Sequence, residues 1–268
     1  MITTNFHTHT VFGDGKDTPE EMVAEAIKKG FTALGFSEHS VLPIENDFSM
    51  TAKTEALYFN EIKRLKENHK NDIEIFCGVE LDYFSKTPDF KYDYIIGSVH
   101  YVLKDGNYIP VDLDAESVTD AVNKYHGGNF DAYAEDYFSL ESDVLNKTNA
   151  DIIGHIDLIT KFCEKADFRL SDRYFELAES CIKKLTPYNK PFEINTGAIA
   201  RGYRTTPYPS PEILKMIRQY GGKIMLSSDC HNKSFLDCAI QNAVNLAINC
   251  GFSEYGIVTE SGIKYIPF

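Results

Sequence analysis

The sequence predicts an α/β fold whose parallel strands curl into a barrel, and two observations lead to this prediction. Short apolar runs alternate with longer segments of helical periodicity along the 268 residues, which is typical of repeated βα units. Six of the eight histidines lie at or just beyond the carboxyl end of an apolar run. Because the carboxyl ends of parallel barrel strands meet on one face, we expect these imidazoles to lie together. They are His7, His9, His39, His100, His155 and His231.

Seven apolar runs are predicted to form the strands, and a weaker eighth follows them. The seven are residues 3–9, 31–38, 73–81, 94–100, 151–155, 192–195 and 223–228, and the eighth is 255–259. The chain contains no repeat of fixed period and no linker rich in Pro, Gly or Ser. We therefore expect one domain that covers residues 1–268.

The first helix has the best-defined start. Thr18 and Glu21 have the spacing of a capping box, in which each side chain accepts a backbone N–H from the other residue. Pro19 fits the first turn, and Gly30 is expected to end the helix. Further helices are predicted at residues 52–68, 172–185, 211–220 and 234–250.

Residues 104–128 lack a clear period and are predicted to form a long loop, a kind of segment that is often functional. The two histidines outside the strand ends, His69 and His126, are interpreted as solvated side chains.

The composition excludes several classes of protein. Hydrophobic residues make up 43% and charged residues 25%, which is ordinary for a globular chain and unlike a disordered or fibrous one. With 27 basic and 40 acidic residues the formal net charge is −13, which would repel extended nucleic acid.

No apolar run approaches the roughly 20 residues of a membrane span, and the N-terminal residues do not resemble a signal peptide. A cytoplasmic protein with no membrane partner is expected, and its six scattered cysteines are interpreted as buried apolar residues.

Carboxylates lie at the same strand ends as the histidines. They are Asp14 after the first predicted strand, Glu38 after the second, Glu80 at the third, Asp157 after the fifth, Glu193 within the sixth and Asp229 after the seventh. His7 and His9 are two residues apart, and a strand directs such side chains to one side, so both rings can hold one ion. Imidazole combined with carboxylate suits zinc, iron or manganese. The pattern predicts a metal site at the carboxyl face of the barrel.

Seven motifs carry a resemblance to a known family. They are FHTHTVFGDG, GFSEHS, GVELDY, GSVHY, GHIDL, FEINTGA and SSDCH, and they run from Phe6 to His231. Together they resemble the PHP (polymerase and histidinol phosphatase) family, most closely its histidinol-phosphate phosphatase branch. The resemblance implies a distorted (β/α)7 barrel, a single metallohydrolase domain, and a trinuclear site that binds two to three divalent ions of zinc, manganese or iron.

The resemblance also implies the ligands. The first ion would be bound by His7, His9, Glu80 and Asp229. The second would be bound by Glu80 as a bridge, His100 and His155. The third would be bound by Asp14, His39 and His231. Some members of the family have histidine in place of Asp14, so the third site is expected either to bind its ion more weakly or to favour a harder metal.

The implied reaction is hydrolysis of L-histidinol phosphate to L-histidinol and phosphate, a step of histidine biosynthesis. A carboxylate that bridges two cations lets them share a hydroxide, which attacks phosphorus in line without a phosphoenzyme. Asp229 and His39 are the candidates for proton transfer to the leaving alkoxide. The cations expected to bind the phosphate are Arg201, Arg204 and Lys161, which follow the sixth and fifth strands.

Other polar and aromatic residues near these positions stay ambiguous. Glu38 and Asp157 adjoin candidate ligands, and each is either an orienter of an imidazole or a polar strand end. Tyr101, Tyr203 and Tyr208 are candidates to line a pocket, although most aromatic side chains belong to the core.

Two other functions stay open on the residues alone. A PHP-type phosphodiesterase or nuclease would use the same cluster, but it would need a basic track and stacking aromatics, whereas this chain has a net charge of −13 and no Trp. A non-catalytic metal-binding module is the third reading, and the presence of all nine candidate ligands disfavours it. The expected partner is a small phosphorylated molecule, and the oligomeric state is not predicted.

Overall fold

The computed structural model describes residues 2–166 and 168–268, and its central feature is a parallel sheet. In chain order the strands are β1 (Thr4–Asn5), β2 (Ala33–Phe36), β3 (Glu74–Asp82), β4 (Tyr94–Ser98), β5 (Tyr101–Lys104), β6 (Asn107–Pro110), β7 (Ile152–Ile153), β8 (Pro191–Asn195), β9 (Lys223–Ser227), β10 (Glu254–Thr259) and β11 (Gly262–Pro267). In the described part of the chain, the main sheet has the order β1-β2-β3-β4-β7-β8-β9-β10-β11. Every neighbouring pair is parallel except β10 and β11. Strand follows strand in sequence order, as repeated βα units require.

The sheet closes at its carboxyl end through the two segments that follow β1 and β9. Thr8 and Cys230 form a parallel bridge, and the N–H of His9 donates to the carbonyl of Cys230 at 2.8 Å. Residues 7–9 and 229–231 therefore lie side by side, although they come from opposite ends of the chain. The predicted α/β fold class, a curled parallel sheet that forms a distorted barrel, is confirmed.

The opposite end of the curl is filled by apolar side chains. Phe6, Met225 and Val258 belong to one buried cluster inside the sheet, together with Tyr94 of β4. The Tyr94 hydroxyl donates to the carbonyl of Phe6 at 2.6 Å. A Cβ on Gly78 would lie 2.3 Å from the Tyr94 ring, so this position of β3 accepts only glycine.

Helices cover the outer face of the sheet. They are α1 (Pro19–Lys28), α2 (Ala52–Asn68), α3 (Ala115–His126), α4 (Phe130–Glu141), α5 (Val144–Thr148), α6 (Cys163–Ala166), α7 (Asp172–Leu185), α8 (Gly197–Ala200), α9 (Pro211–Gln219) and α10 (Ile240–Asn249). The buried faces of α1 and α2 pack in one hydrophobic cluster with outward side chains of β2 and β3. Among the described residues, no helix combines the length and apolar character that a bilayer crossing requires.

Most helix starts follow the predictions, and one does not. The capping box of Thr18 and Glu21 is present, and α2 and α7 have the predicted bounds. The last helix, predicted from residue 234, begins only at Ile240. The prediction of its start is wrong because Ala239 adopts a left-handed backbone with φ 54°, which interrupts a right-handed helix.

The prediction of a long loop over residues 104–128 is also wrong. Asp105 and Gly106 have φ values of 50° and 77°, the conformation of a tight hairpin turn, and they join β5 to β6. The helix α3 then begins at an N-cap in which the Asp114 side chain accepts the N–H of Ser117 at 2.7 Å. The Asp105-Gly106 pair, a dipeptide typical of two-residue hairpin turns, is the feature of the sequence that could have predicted this hairpin.

His126 differs from its interpretation as a solvated side chain. Its side chain is 1% exposed, and its Nε2 lies 3.0 Å from Oδ2 of Asp136. Lys104 approaches the same oxygen at 2.6 Å, so Asp136 ties the hairpin to the end of α3. His69 is more open and pairs with Glu20 on the surface.

Candidate metal centre

Glu80 lies at the centre of a cluster of histidines inside the carboxyl end of the sheet. Side chains alternate along β3, so Ile75 and Val79 pack against helices while Phe76 and Glu80 point into the curl. Glu80 is 1% exposed, and its two oxygens approach ring nitrogens of five histidines. Oε2 lies 3.3 Å from His7 Nε2, 3.6 Å from His9 Nε2 and 2.9 Å from His39 Nδ1, and Oε1 lies 3.4 Å from His100 Nε2 and 2.9 Å from His155 Nε2.

His7, His9 and Asp229 meet because the segments after β1 and β9 pair with each other. Oδ1 of Asp229 lies 3.7 Å from Nε2 of His7 and 3.3 Å from Nε2 of His9. With Glu80 they form the set expected for the first ion, and the structure brings all four side chains together.

His100 and His155 lie beside the other oxygen of Glu80. Their ring centroids are 5.3 Å apart, and both rings are almost fully buried. His39 contacts Oε2 of Glu80, yet it also lies near His100, because His39, Glu80 and His100 offer ligand atoms within 4.8 Å of one another. The side chains expected to bind the second ion, Glu80, His100 and His155, therefore lie close together, and His39 lies next to them.

Asp14 and His231 complete the cluster toward the outside. Oδ1 of Asp14 lies 3.1 Å from Nε2 of His231 and 3.8 Å from Nε2 of His39. The rings of His9 and His231 stack with centroids 4.2 Å apart, so His9 also belongs to this group. The Asp14 side chain is 35% exposed, which makes it the most open of the nine candidate ligands.

The cluster contains buried polar atoms that face one another without a hydrogen-bond partner. They are Nε2 of His7, Nε2 of His9 and Oε2 of Glu80. An unpaired buried polar atom costs about 1–3 kcal/mol, and a cation between these atoms would satisfy all of them. Ligand atoms lie within 4.8 Å of one another in each of three sets, close enough for two ligands at about 2.1 Å on either side of an ion. The sets are His7, His9 and Asp229; His39, Glu80 and His100; and His9, Asp14, His39 and His231. The donors fit zinc, manganese or iron.

The ionisation states of His9, Glu80 and Asp229 favour cation binding, whereas burial is outweighed at His7 and His100 by neighbouring carboxylates, which raise the pKa of both rings well above its usual range. Burial and two neighbouring imidazoles lower the pKa of His9 to about 3, so this ring is neutral. Burial opposes ionisation of Glu80 and Asp229, yet the imidazoles around Glu80 and the guanidinium of Arg201 beside Asp229 keep the pKa of both carboxyls well below its usual range. Carboxylates and neutral imidazoles are the forms that bind metals.

Glu193 of β8 holds two candidate ligands in place, and sequence analysis assigned it no role. Its Oε1 lies 2.5 Å from Nδ1 of His7, and its Oε2 accepts the N–H of His155 at 2.9 Å. Ser227 and Asn195 also donate to this carboxylate. The contact leaves Nε2 of His7 as the nitrogen that faces the cluster. The available signal was an acidic residue inside an otherwise apolar strand.

Asp82 and Glu38 support neighbouring parts of the cluster. Oδ2 of Asp82 accepts the N–H of His100 at 2.9 Å and lies 3.2 Å from its Nδ1. Oε1 of Glu38 accepts from the N–H and the hydroxyl of Thr10, at 2.6 and 2.5 Å, so it anchors the segment after β1. Burial raises the pKa of Glu38 to about 8.

A cavity of about 670 Å³ opens onto the cluster. The candidate ligands that line it are Asp14, His39, His100, His155, Asp229 and His231. The other charged residues that line it are Lys16, Glu45, Asp47, Asp112, Lys161 and Arg201. Aromatic side chains contribute as well, namely Phe48, Tyr101, Tyr108 and Tyr203. A cavity of this size admits a small ligand with direct access to the cluster.

Comparison with known proteins identifies the family. The family model of the PHP domain matches residues 5–197. The chain belongs to the PHP domain family. A probable histidinol-phosphatase from Schizosaccharomyces pombe is 31% identical over 262 residues, covering 90% of this chain and 84% of that protein. The histidinol-phosphatase of Bacillus subtilis is 26% identical over 249 residues, covering 84% of this chain and 92% of that protein.

A solved structure agrees in fold. The histidinol phosphate phosphatase of Lactococcus lactis, crystallised with zinc, L-histidinol and phosphate, superposes with a TM-score of 0.75 at 23% identity. The match covers 98% of each chain. The similarity in fold therefore covers nearly the whole chain, beyond the residues that the family model matches.

The three cations expected to bind phosphate in this PHP protein occupy different places. Arg201 and Lys161 line the cavity, whereas Arg204 does not. Arg204 is 9% exposed, and its guanidinium donates to the hydroxyl of Thr160 and lies 3.9 Å from Oδ2 of Asp157. The charge of Arg204 thus faces a buried carboxylate and not the cavity, and its expected contact with a substrate stays a prediction.

The three candidate tyrosines and Asp157 also differ in whether they line the cavity or lie buried in the protein. Tyr101 and Tyr203 line the cavity, but Tyr208 is fully buried with the Arg204 guanidinium 4.4 Å from its ring centre. Asp157 accepts the N–H of Ser210 at 3.0 Å and makes no hydrogen bond to an imidazole among the described residues. Asp157 thus positions the backbone before α9.

Proposed function

We propose that the chain is a metal-dependent phosphomonoesterase that hydrolyses L-histidinol phosphate to L-histidinol and phosphate. The observation that carries the proposal is the meeting of eight imidazole and carboxylate side chains around Glu80, at the side of an open cavity. Two relatives that align along most of the chain are named histidinol-phosphatases, which supports the substrate.

The nine residues would hold two to three divalent ions of zinc, manganese or iron. We assign His7, His9, Glu80 and Asp229 to the first ion, Glu80, His100 and His155 to the second, and Asp14, His39 and His231 to the third. Bound divalent ions supply Lewis acidity toward phosphate oxygens and make water nucleophilic near neutral pH. The zinc in the Lactococcus lactis protein supports this choice of metals.

The chain's own residues bind the ester and handle protons. The Nη2 atom of Arg201 lies 3.1 Å from Oδ2 of Asp229, so its guanidinium is held beside the cluster and presents further donors to a phosphate. Lys161 lines the cavity nearby and also binds phosphate in this proposal. Asp229 and His39 are the candidates that pass a proton to the leaving alkoxide, since both line the cavity.

Acidic and aromatic side chains of the cavity suit the rest of the substrate. Glu45, Asp47 and Asp112 line it, and carboxylates attract the amine and the imidazole of histidinol. Burial favours protonation of Asp112, but Lys161 and nearby imidazoles lower its pKa to about 2, so it is ionised at neutral pH. Tyr101 offers an aromatic surface for an imidazole ring.

We also propose that residues 1–268 act as one PHP-type domain located in the cytoplasm. Asp229 and His231 follow the matched segment 5–197, yet they contact ligands that lie within it. The six cysteine thiols are free, which is the state that a reducing compartment maintains.

The test is phosphate release from L-histidinol phosphate and from simple phosphate monoesters, by protein loaded separately with zinc, manganese and cobalt. We expect turnover that prefers L-histidinol phosphate and is abolished by a chelator. If the protein cleaved only generic monoesters, or cleaved diesters instead, the assignment of L-histidinol phosphate as the substrate would be overturned. Absence of turnover with every metal would overturn the enzyme assignment in favour of a metal-binding module.

Replacing the two arginines separately is expected to give different defects. Arg201→Ala removes a charged donor from the cavity, so KM for the ester should rise about 10-fold or more with metal content unchanged. Arg204→Ala leaves Asp157 buried without its cation and should lower the free energy of unfolding by about 3–5 kcal/mol. Steady-state kinetics and urea denaturation check the two effects. Equal KM for Arg201→Ala and the unmodified enzyme would remove Arg201 from the phosphate site.

A further inference from the structure

The substrate of the proposed reaction is an anion, and the chain that must capture it carries a net charge of −13. Cations that line the cavity therefore matter for association. Among the described residues they are Lys16, Lys161 and Arg201. These three cations differ in whether a carboxylate lies within ion-pair distance of them.

Two of these cations already face carboxylates. Nζ of Lys161 lies 2.9 Å from Oδ2 of Asp112 and donates to the Asp112 carbonyl at 2.9 Å. Arg201 contacts Asp229 at 3.1 Å. Each pairing reduces the field that the cation exerts on an incoming phosphate. Lys16 has no carboxylate partner within ion-pair distance in the described parts of the chain, residues 2–166 and 168–268.

The backbone around Lys16 is held firmly against the candidate metal ligands. A Cβ on Gly15 would lie 2.4 Å from the carbonyl carbon of His9, so this turn packs directly on the His9 backbone. The N–H of Gly15 donates to the carbonyl of Thr10 at 3.0 Å, and the N–H of Lys16 donates to the carbonyl of His231 at 2.9 Å. These contacts hold the Lys16 backbone against the segments that carry His9 and His231, and the exposed Lys16 side chain lines the cavity, as Asp14 and His231 do.

We propose that Lys16 is a phosphate-binding residue of this cavity, which attracts the anionic ester and contacts its phosphate oxygens. The proposal rests on the phosphatase function proposed above. An ammonium without a carboxylate partner retains its full attraction for a phosphate, and a cavity concentrates the field of the charges that line it. Lys16 was not among the cations predicted from the sequence, because it follows a turn rather than a strand.

The test compares Lys16→Gln with Lys53→Gln, which makes the same charge change at an exposed position of α2 outside the cavity. Binding of inorganic phosphate to zinc-loaded protein is measured by calorimetry, and kcat/KM for L-histidinol phosphate is measured at low and high ionic strength. For Lys16→Gln we expect phosphate binding and kcat/KM to fall about 3- to 10-fold, with a weaker salt dependence. Lys53→Gln and Lys16→Arg should stay near the unmodified protein.

Zinc content and thermal midpoint are recorded for every variant, so that a structural defect is recognised. Equal phosphate affinity and equal salt dependence in Lys16→Gln and Lys53→Gln would overturn the role of Lys16. Failure of the unmodified protein to cleave L-histidinol phosphate would instead overturn the proposed function, and calorimetry with inorganic phosphate would still decide whether Lys16 binds the anion.

Discussion

Glu80→Gln is expected to remove bound metal and phosphatase activity together. The two oxygens of Glu80 approach five imidazoles, so this carboxylate connects the sets proposed for the first and second ions. Glutamine has nearly the same shape but carries no charge, and its amide nitrogen cannot ligate a cation. Loss of an outer partner of a ligand costs about 10- to 100-fold in metal affinity or activity, so loss of a shared ligand should exceed about 100-fold.

Metal analysis after dialysis, with phosphate release measured on the same sample, checks this result. Glu74→Gln is the matched control, because Glu74 begins the same strand but is exposed. The control should keep its metal and its activity. If Glu80→Gln retained two ions per chain, the proposed bridging role of Glu80 would be refuted.

Glu193→Gln is the second change for which we expect a large effect. The carboxylate of Glu193 lies against His7, His155, Ser227 and Asn195, and it accepts from four groups. In glutamine one of the two carboxylate oxygens is replaced by an NH2 group, which cannot accept a hydrogen bond. Whichever way the amide is oriented, this group faces donors, so the four contacts cannot all be kept. His7 then loses the partner that orients its ring. We expect metal affinity to fall about 10- to 100-fold.

Competition with a chromogenic chelator measures this affinity directly and does not depend on turnover. Glu55→Gln is a suitable control, since Glu55 is 5% exposed outside the cluster and accepts a single hydrogen bond from Tyr92 at 2.8 Å. Glutamine can still accept that bond. Equal chelator midpoints for Glu193→Gln and Glu55→Gln would show that Glu193 has only a general packing role.

Local patterns of the sequence located most of the candidate centre. An apolar run of strand length ends at a definite residue, and parallel strands place such ends on one face, so the six strand-end histidines could be grouped before any distance was known. The same rule grouped six carboxylates, and the family resemblance singled out Asp14, Glu80 and Asp229 among them. Caps such as Thr18 with Glu21 depend on four consecutive residues, and this is why α1 could be predicted with its start.

Contacts between distant segments decided the rest. The bridge between Thr8 and Cys230 closes the curl, and it is not encoded in either segment alone. Arg204 follows a strand as Arg201 does, yet it faces inward, because Asp157 from another strand end lies 3.9 Å from its guanidinium. Which of two neighbouring cations faces a cavity depends on the carboxylates that the fold brings near each one.

The sequence by itself thus determined the fold class, the positions of most strands and the histidines that meet at their carboxyl ends. The tertiary structure alone decided which side chains support the ligands, as Glu193 does for His7, and which cations stay free to bind an anion. The physical reason is the range of the interactions: strand alternation and capping act over a few residues, whereas burial, hydrogen bonding and ion pairing join residues that are far apart in the chain.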